Sequence, residues 1–165
     1  MDKNRNKIEQ SMDFEELVSR YSLLITKICY YFAINRAEMD DLRQEILLNI
    51  WKGWSNFRME SQISTWIYRV CFNTCITYVR KNKHRKDEVP LSQFVEIEDE
   101  VFDLGKYQEM HRLINLLNGE EKAIIMMWLD EKSYDEIAYV VGLNRNTVAS
   151  RIKRIKEKLV KMSNA

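Results

Sequence analysis

The chain has 165 residues and a formal net charge of +1, with 26 Lys and Arg set against 25 Asp and Glu. A composition that is 45% hydrophobic and 31% charged excludes a disordered tail, and four glycines with one proline are too few for the turns of an all-β fold. Three cysteines cannot build a disulfide framework. The pair Cys71 and Cys75, one helical turn apart with no His beside it, reads as buried reduced thiols rather than a zinc site.

In chain order, Asp13 and Glu16 form a capping pattern. Phe14, Leu17, Val18, Tyr21, Leu24, Ile25, Ile28 and Phe32 then recur at helical spacing. Asn35 caps a second helix with an inner stripe of Met39, Leu42, Ile46 and Ile50. Ser55 to Gln62 is irregular, and a third helix runs from near Ser64 to Lys81 with Ile63, Ile67, Val70, Cys71 and Thr74 inward. The pattern lapses from Asn82 to Phe102, where the single proline, Pro90, sits among acidic residues. This reads as a linker long enough to let the two halves move. A helix over Lys106 to Leu117 follows. Asn118 with Glu121 and Ser133 with Glu136 then introduce helices over Glu120 to Leu129 and Tyr134 to Val140. Val141-Gly142-Leu143 turns the chain, with Gly142 tolerating positive φ, and Asn144 caps a last helix reaching Met162. The expected fold class is therefore all-α, two small helical domains joined by a linker, the C-terminal one a helix-turn-helix.

The neutral total hides segregated charge: Arg80 to Lys86 is basic, Asp87 to Asp103 acidic, and Arg145 to Lys161 basic again. In the last helix, Val148, Ile152, Ile155 and Leu159 point inward, while Arg145, Asn146, Ala149, Ser150, Lys153 and Arg154 form a polar face suited to base edges and phosphates. Ala138 is small enough for the two helices to approach closely. In the second helix, Asp41, Gln44, Glu45 and Leu48 form an outer face that can dock a basic partner helix. From Trp54 to Arg80 aromatics alternate with cations, the composition of a surface for unpaired bases. Trp66 reads as core, whereas Tyr68, Arg69 and Asn73 fall on the face away from Ile67 and Val70. His84 and His111 are isolated and read as surface residues. Asp41 and Glu45 lack a third ligand, so no metal, cofactor or catalytic residue is assigned and the chain reads as non-enzymatic. The longest apolar run, Ala123 to Leu129, is too short to span a bilayer, and no apolar signal core opens the chain. A cytoplasmic protein without membrane insertion is expected.

The segments DDLRQEILLNIWKGWSNFR…STWIYRVCFNTCITYVRK (Asp40 to Lys81) and SYDEIAYVVGLNRNTVASRIKRIKEKL (Ser133 to Leu159) resemble the bacterial RNA polymerase sigma factors, specifically the two-domain extracytoplasmic-function (ECF) subgroup. The resemblance implies a polymerase- and minus-ten-binding domain over 10–84, an acidic linker over 85–104 and a minus-thirty-five-binding domain over 105–162. It places Asp41, Gln44, Glu45 and Leu48 on the clamp helices of the polymerase largest subunit, with the second subunit's flap as a further contact. Asn56, Phe57, Arg58, Tyr68, Arg69, Asn73 and Arg80 would meet the minus-ten element as it melts. Arg145, Asn146, Ser150, Lys153 and Arg154 would meet the minus-thirty-five element. The linker would thread polymerase channels that otherwise carry nucleic acid, and an anti-sigma factor is a possible partner. With near-zero net charge, the chain alone is expected to bind promoter DNA weakly. Departures from the family pattern are Asn118-Gly119 in place of a proline, Ala149 in place of a long basic residue, and Met59 and Gln62 in a loop usually fully charged.

The alternative is a stand-alone dimeric helix-turn-helix regulator of a palindromic operator. That reading leaves the Asp41 to Glu45 face and the Trp54 to Arg80 stretch without a role. A metal-dependent nuclease lacks a ligand cluster or a nucleophile–base pair in the sequence.

Overall fold

The structure, a computed structural model, describes residues 12–82 and 104–165, with side chains described from residue 109 onward in the second stretch. Within these residues the chain forms seven helices and no strand. They are α1 (Phe14–Phe32), α2 (Arg36–Trp54), α3 (Ile63–Lys81), α4 (Leu104–Asn115), α5 (Gly119–Leu129), α6 (Tyr134–Val141) and α7 (Arg145–Ser163). The predicted linker, apart from its last residue, lies outside the described residues, as does His84.

Local chemistry sets the helix starts. Asp13 Oδ1 accepts from the Glu16 amide at 2.8 Å, and Asn35 Oδ1 from the Glu38 amide at 2.8 Å. Asn118 with Glu121 and Ser133 with Glu136 close complete capping boxes, satisfying amides that the first turn leaves unpaired. Such a cap is worth about 1 kcal/mol. Chain reversal between α6 and α7 rests on Gly142, at φ +72°, a left-handed conformation that any side chain would strain.

Helices α1, α2 and α3 pack on one another through Leu17, Ile25, Ile28, Leu42, Ile46, Ile50, Ile63, Ile67 and Cys71, all buried. Arg43 ties α2 to α1 through Thr26 Oγ1 and through Ser22 Oγ at 3.1 Å, and Asn49 ties it to α3 through Thr74 Oγ1 at 2.9 Å. Cys29, Cys71 and Cys75 are free and buried, and burial pushes the Cys29 thiol up to about 12, so all three are poor nucleophiles. Ile124, Ile125, Met127, Ile137, Val140, Val148, Ile152 and Ile155 form the core of the C-terminal half. That half also packs on the first, α3 lying against α5 and α6, and the buried residues of both form one continuous cluster.

One expectation fails in α4. His111 is buried, not on the surface. It stands three positions before Ile114 on the apolar stripe, and its ring stacks on Tyr31 of α1 with centroids 4.1 Å apart. Burial, helped by the Lys122 ammonium, lowers its pKa from 6.5 to about 4. The folded state therefore holds a neutral ring while the unfolded chain takes up a proton near pH 6.5. The stability carried by that neutral ring is intact above this pH and is lost as pH falls from 6.5 toward 4. Thermal melts between pH 7 and pH 4 are expected to show the wild type losing stability faster than His111→Gln; parallel losses would refute the assignment.

Candidate nucleic-acid interface

Packing of α2 leaves Asp41, Gln44, Glu45 and Leu48 exposed together, because Leu42, Ile46 and Ile50 take the inner stripe. The outer face is more apolar than those four residues suggest. Leu48 is 49% exposed and Trp51, one turn on, is 61% exposed. Trp51 is held edge-on against Phe14 of α1, ring centroids 5.0 Å apart at 85°. A tryptophan so open carries its apolar surface in water. The sequence patterns did not single out Trp51; its position three after Leu48 was the available signal.

The irregular segment between α2 and α3 is built on aromatic stacking. Phe57 stacks on Trp54 at 5.7 Å and leans on Trp66 at 5.0 Å, which anchors the loop and leaves Trp66 half-buried, close to its expected place in the core. Gly53 makes this possible, since a Cβ there would lie 2.8 Å from Trp66 Cζ2. Within the same loop Met59 adopts φ +57°, a conformation non-glycine residues rarely hold. Asn56 and Arg58 project into solvent. An open cavity of about 350 Å³ brings Asn56, Phe57, Arg58, Arg69 and Asn73 to one place, with Trp66 and the Glu60 carboxylate as part of its wall. Arg80, exposed two turns further along α3, does not line it.

Tyr68 is not at this surface. It is 4% exposed, its ring stacks on Phe72, and its hydroxyl donates to Asp130. Burial, and then the Asp130 carboxylate, push its pKa well above the usual tyrosine range. The reason is tertiary: Tyr68 and Phe72 share the side of α3 that the C-terminal half covers, whereas Arg69 and Asn73 stay exposed.

In the helix-turn-helix, Val148, Ile152 and Ile155 bury the inner stripe of α7 against Ile137 and Val140 of α6. Arg145, Asn146, Ser150, Lys153 and Arg154 all remain exposed. Arg145 lies 3.7 Å from Asp135 in an open pair of little strength, and Ser150 Oγ donates to the Asn146 carbonyl at 3.1 Å. Three further cations of α7 reach across to α5: Arg151 pairs with Glu120 at 2.8 Å, Lys158 with Glu121 at 3.0 Å, and Lys156 sits 3.7 Å over Trp128, while Lys161 near the helix end is exposed. The basic run thus divides into a set that fastens α7 to α5 and a set that faces solvent, where cations can meet phosphate.

Residues 17–85 match Sigma-70 region 2 and residues 107–159 match Sigma-70, region 4. Two such modules in this order define a DNA-binding transcription initiation factor. The chain belongs to the ECF sigma factors of the sigma-70 family. It is 28% identical over 163 residues to the ECF RNA polymerase sigma factor SigW of Bacillus subtilis, covering 90% of this chain and 87% of that protein. It is likewise 28% identical over 163 residues to the ECF RNA polymerase sigma-E factor of Haemophilus influenzae, covering 87% and 84%. The fold is shared with RpoE of Bartonella quintana, solved in complex with the anti-sigma factor NepR, at TM-score 0.67 and 21% identity over 93% of this chain and 98% of that one. It is also shared with CnrH, solved with the cytosolic domain of CnrY, at TM-score 0.66 and 19% identity over 92% and 87%. Sigma factors are initiation factors, not enzymes. No described helix is long and apolar enough to cross a membrane.

Proposed function

We propose that this chain binds core RNA polymerase and directs promoter recognition, melting and initiation in the cytoplasm, through a domain over 10–84, a linker over 85–104 and a domain over 105–162. The observation that carries the reading is the convergence of Asn56, Phe57, Arg58, Arg69 and Asn73, drawn from two segments of sequence, on one open cavity. Polar groups, an aromatic and two guanidinium groups around a cavity are what an unstacked base and its phosphates need. Arg80 extends the same charge along α3 toward duplex DNA. Asp41, Gln44, Glu45 and Leu48, with Trp51 beside them, offer an acidic and apolar docking face to the clamp helices of the polymerase largest subunit, and the flap of the second subunit takes the C-terminal domain. Arg145, Asn146, Ser150, Lys153 and Arg154 enter the major groove at the minus-thirty-five element. An anti-sigma partner fits the reading, since RpoE of Bartonella quintana, a protein of this fold, was solved with the anti-sigma factor NepR.

Immobilised wild-type protein is expected to retain core RNA polymerase, and Glu45→Lys to lose it with an unchanged circular dichroism spectrum. Arg154→Ala should retain polymerase and lose promoter-directed transcription. Wild type that retains no polymerase, with its fold verified, would overturn the proposal.

A further inference from the structure

A second cavity, of about 480 Å³, lies where α3 meets the start of α5 and the end of α6. Its volume falls within the roughly 300–1,000 Å³ of ordinary small-molecule sites. The floor is apolar: Phe72 and Val140 are buried, Ile76 and Val141 half-buried, and all four line the space. Packed helices normally interdigitate to the density of an organic crystal, so an unfilled volume over four apolar side chains is room for an occupant.

The rim is polar, with a positive charge to spare. Arg80, exposed near the end of α3, lines the cavity and forms no ion pair among the described residues. Glu120 is the one carboxylate of the lining among the described residues, and Arg151 already holds it at 2.8 Å. Asn73 and Thr77, exposed one turn apart on α3, add a carboxamide and a hydroxyl. Asn118, also exposed at the rim, stands in place of a proline of the family pattern. Its Oδ1 takes the Glu121 amide at 2.9 Å, which leaves Nδ2 as a donor that a proline would lack.

We propose that this cavity binds a small organic carboxylate with an apolar ring body, the ring over Phe72, Ile76, Val140 and Val141 and the carboxylate on Arg80 and Asn118. A guanidinium matches a carboxylate in a two-bond fork. A doubly charged phosphate fits less well, because the Glu120 carboxylate borders the same space and repels it. The proposed function directs Arg80 to duplex DNA, so ligand and promoter compete for one guanidinium. That competition rests on the functional reading above; the site itself does not.

The test titrates the full chain with 2-naphthoate, and with neutral 2-naphthol for comparison, by isothermal titration calorimetry. Wild type is expected to bind 2-naphthoate saturably and 2-naphthol at least about tenfold more weakly, the factor that one charge-assisted hydrogen bond contributes. Arg80→Glu should lose the preference for the anion. Thr77→Trp, which fills the cavity from an exposed position, should lose binding of both compounds with its circular dichroism spectrum unchanged. No saturable binding by wild type, or equal binding of the two compounds, overturns the proposal. Undiminished binding by folded Thr77→Trp places the probe elsewhere and overturns it too; should that variant fail to fold, Arg80→Glu decides. Promoter-directed transcription by wild type is expected to fall as 2-naphthoate saturates, and unchanged transcription at saturation overturns the competition for Arg80. Wild type that retains no core polymerase would refute the functional reading, while the calorimetry still decides the site.

Discussion

Replacing Leu48 with Glu and Trp51 with Ala together is expected to reduce retention of core RNA polymerase by roughly a hundredfold or more, with helix content and melting temperature unchanged. Leu48 is 49% and Trp51 61% exposed, and neither belongs to the buried core, so their loss costs the fold little. Their neighbours Asp41, Gln44 and Glu45 are exposed carboxylates and an amide that can give orientation and electrostatic steering. Binding energy in such a patch concentrates in the aromatic and aliphatic anchors that become fully desolvated, about 2–4 kcal/mol for a central tryptophan. Each 1.4 kcal/mol is a factor of about ten in affinity. Trp51 is also preorganised by its edge-on contact with Phe14, which lowers the entropy lost on docking. Equilibrium binding to labelled core enzyme measures the effect. If the double variant binds as tightly as wild type, the docking face is elsewhere, and the open tryptophan has another partner.

Ile152→Ala is expected to destabilise the C-terminal half by about 2–5 kcal/mol, the range for truncating a buried aliphatic side chain. For a chain of this size that lowers the melting temperature by roughly 5–15 °C. Ile152 is 1% exposed, at the middle of the stripe that α7 buries against α6. The same variant is expected to lose promoter-directed transcription. The outward face of α7 keeps its orientation only while Val148, Ile152 and Ile155 hold the helix against Ile137 and Val140. Lys153→Ala, one residue along and fully outward, is the contrast: unchanged melting temperature with weakened promoter use. A Lys153→Ala variant that melts as low as Ile152→Ala would mean that the two faces of α7 are misassigned.

Much of this fold is legible in the amino-acid sequence alone. Helix starts depend on a side chain reaching an amide three residues away, so Asp13, Asn35, Asn118, Ser133 and Asn144 can each be recognised locally, and each caps as expected. The turn at Gly142 is equally local, because only the backbone conformation is at stake. The inner stripes of α2 and α7 follow from 3.6-residue periodicity, which assigns one buried face per helix. The outward residues of those two helices are where the sequence put them for the same reason.

What periodicity cannot supply is a second buried face. Helix α3 has one: Ile67 and Cys71 enter the N-terminal core, while Tyr68 and Phe72 enter the contact with α5 and α6, so Tyr68 leaves the surface on which the sequence had placed it. His111 is the same case, an isolated histidine whose burial depends on Tyr30 and Tyr31, far earlier in the chain. The sharing of Asp130 between Lys27 and Tyr68 joins residues 103 and 62 positions apart, and the stacking of Arg69 on Tyr139 is similarly remote in sequence. A local pattern fixes which residues can be buried; the partner they meet was decided by the packing of one half on the other.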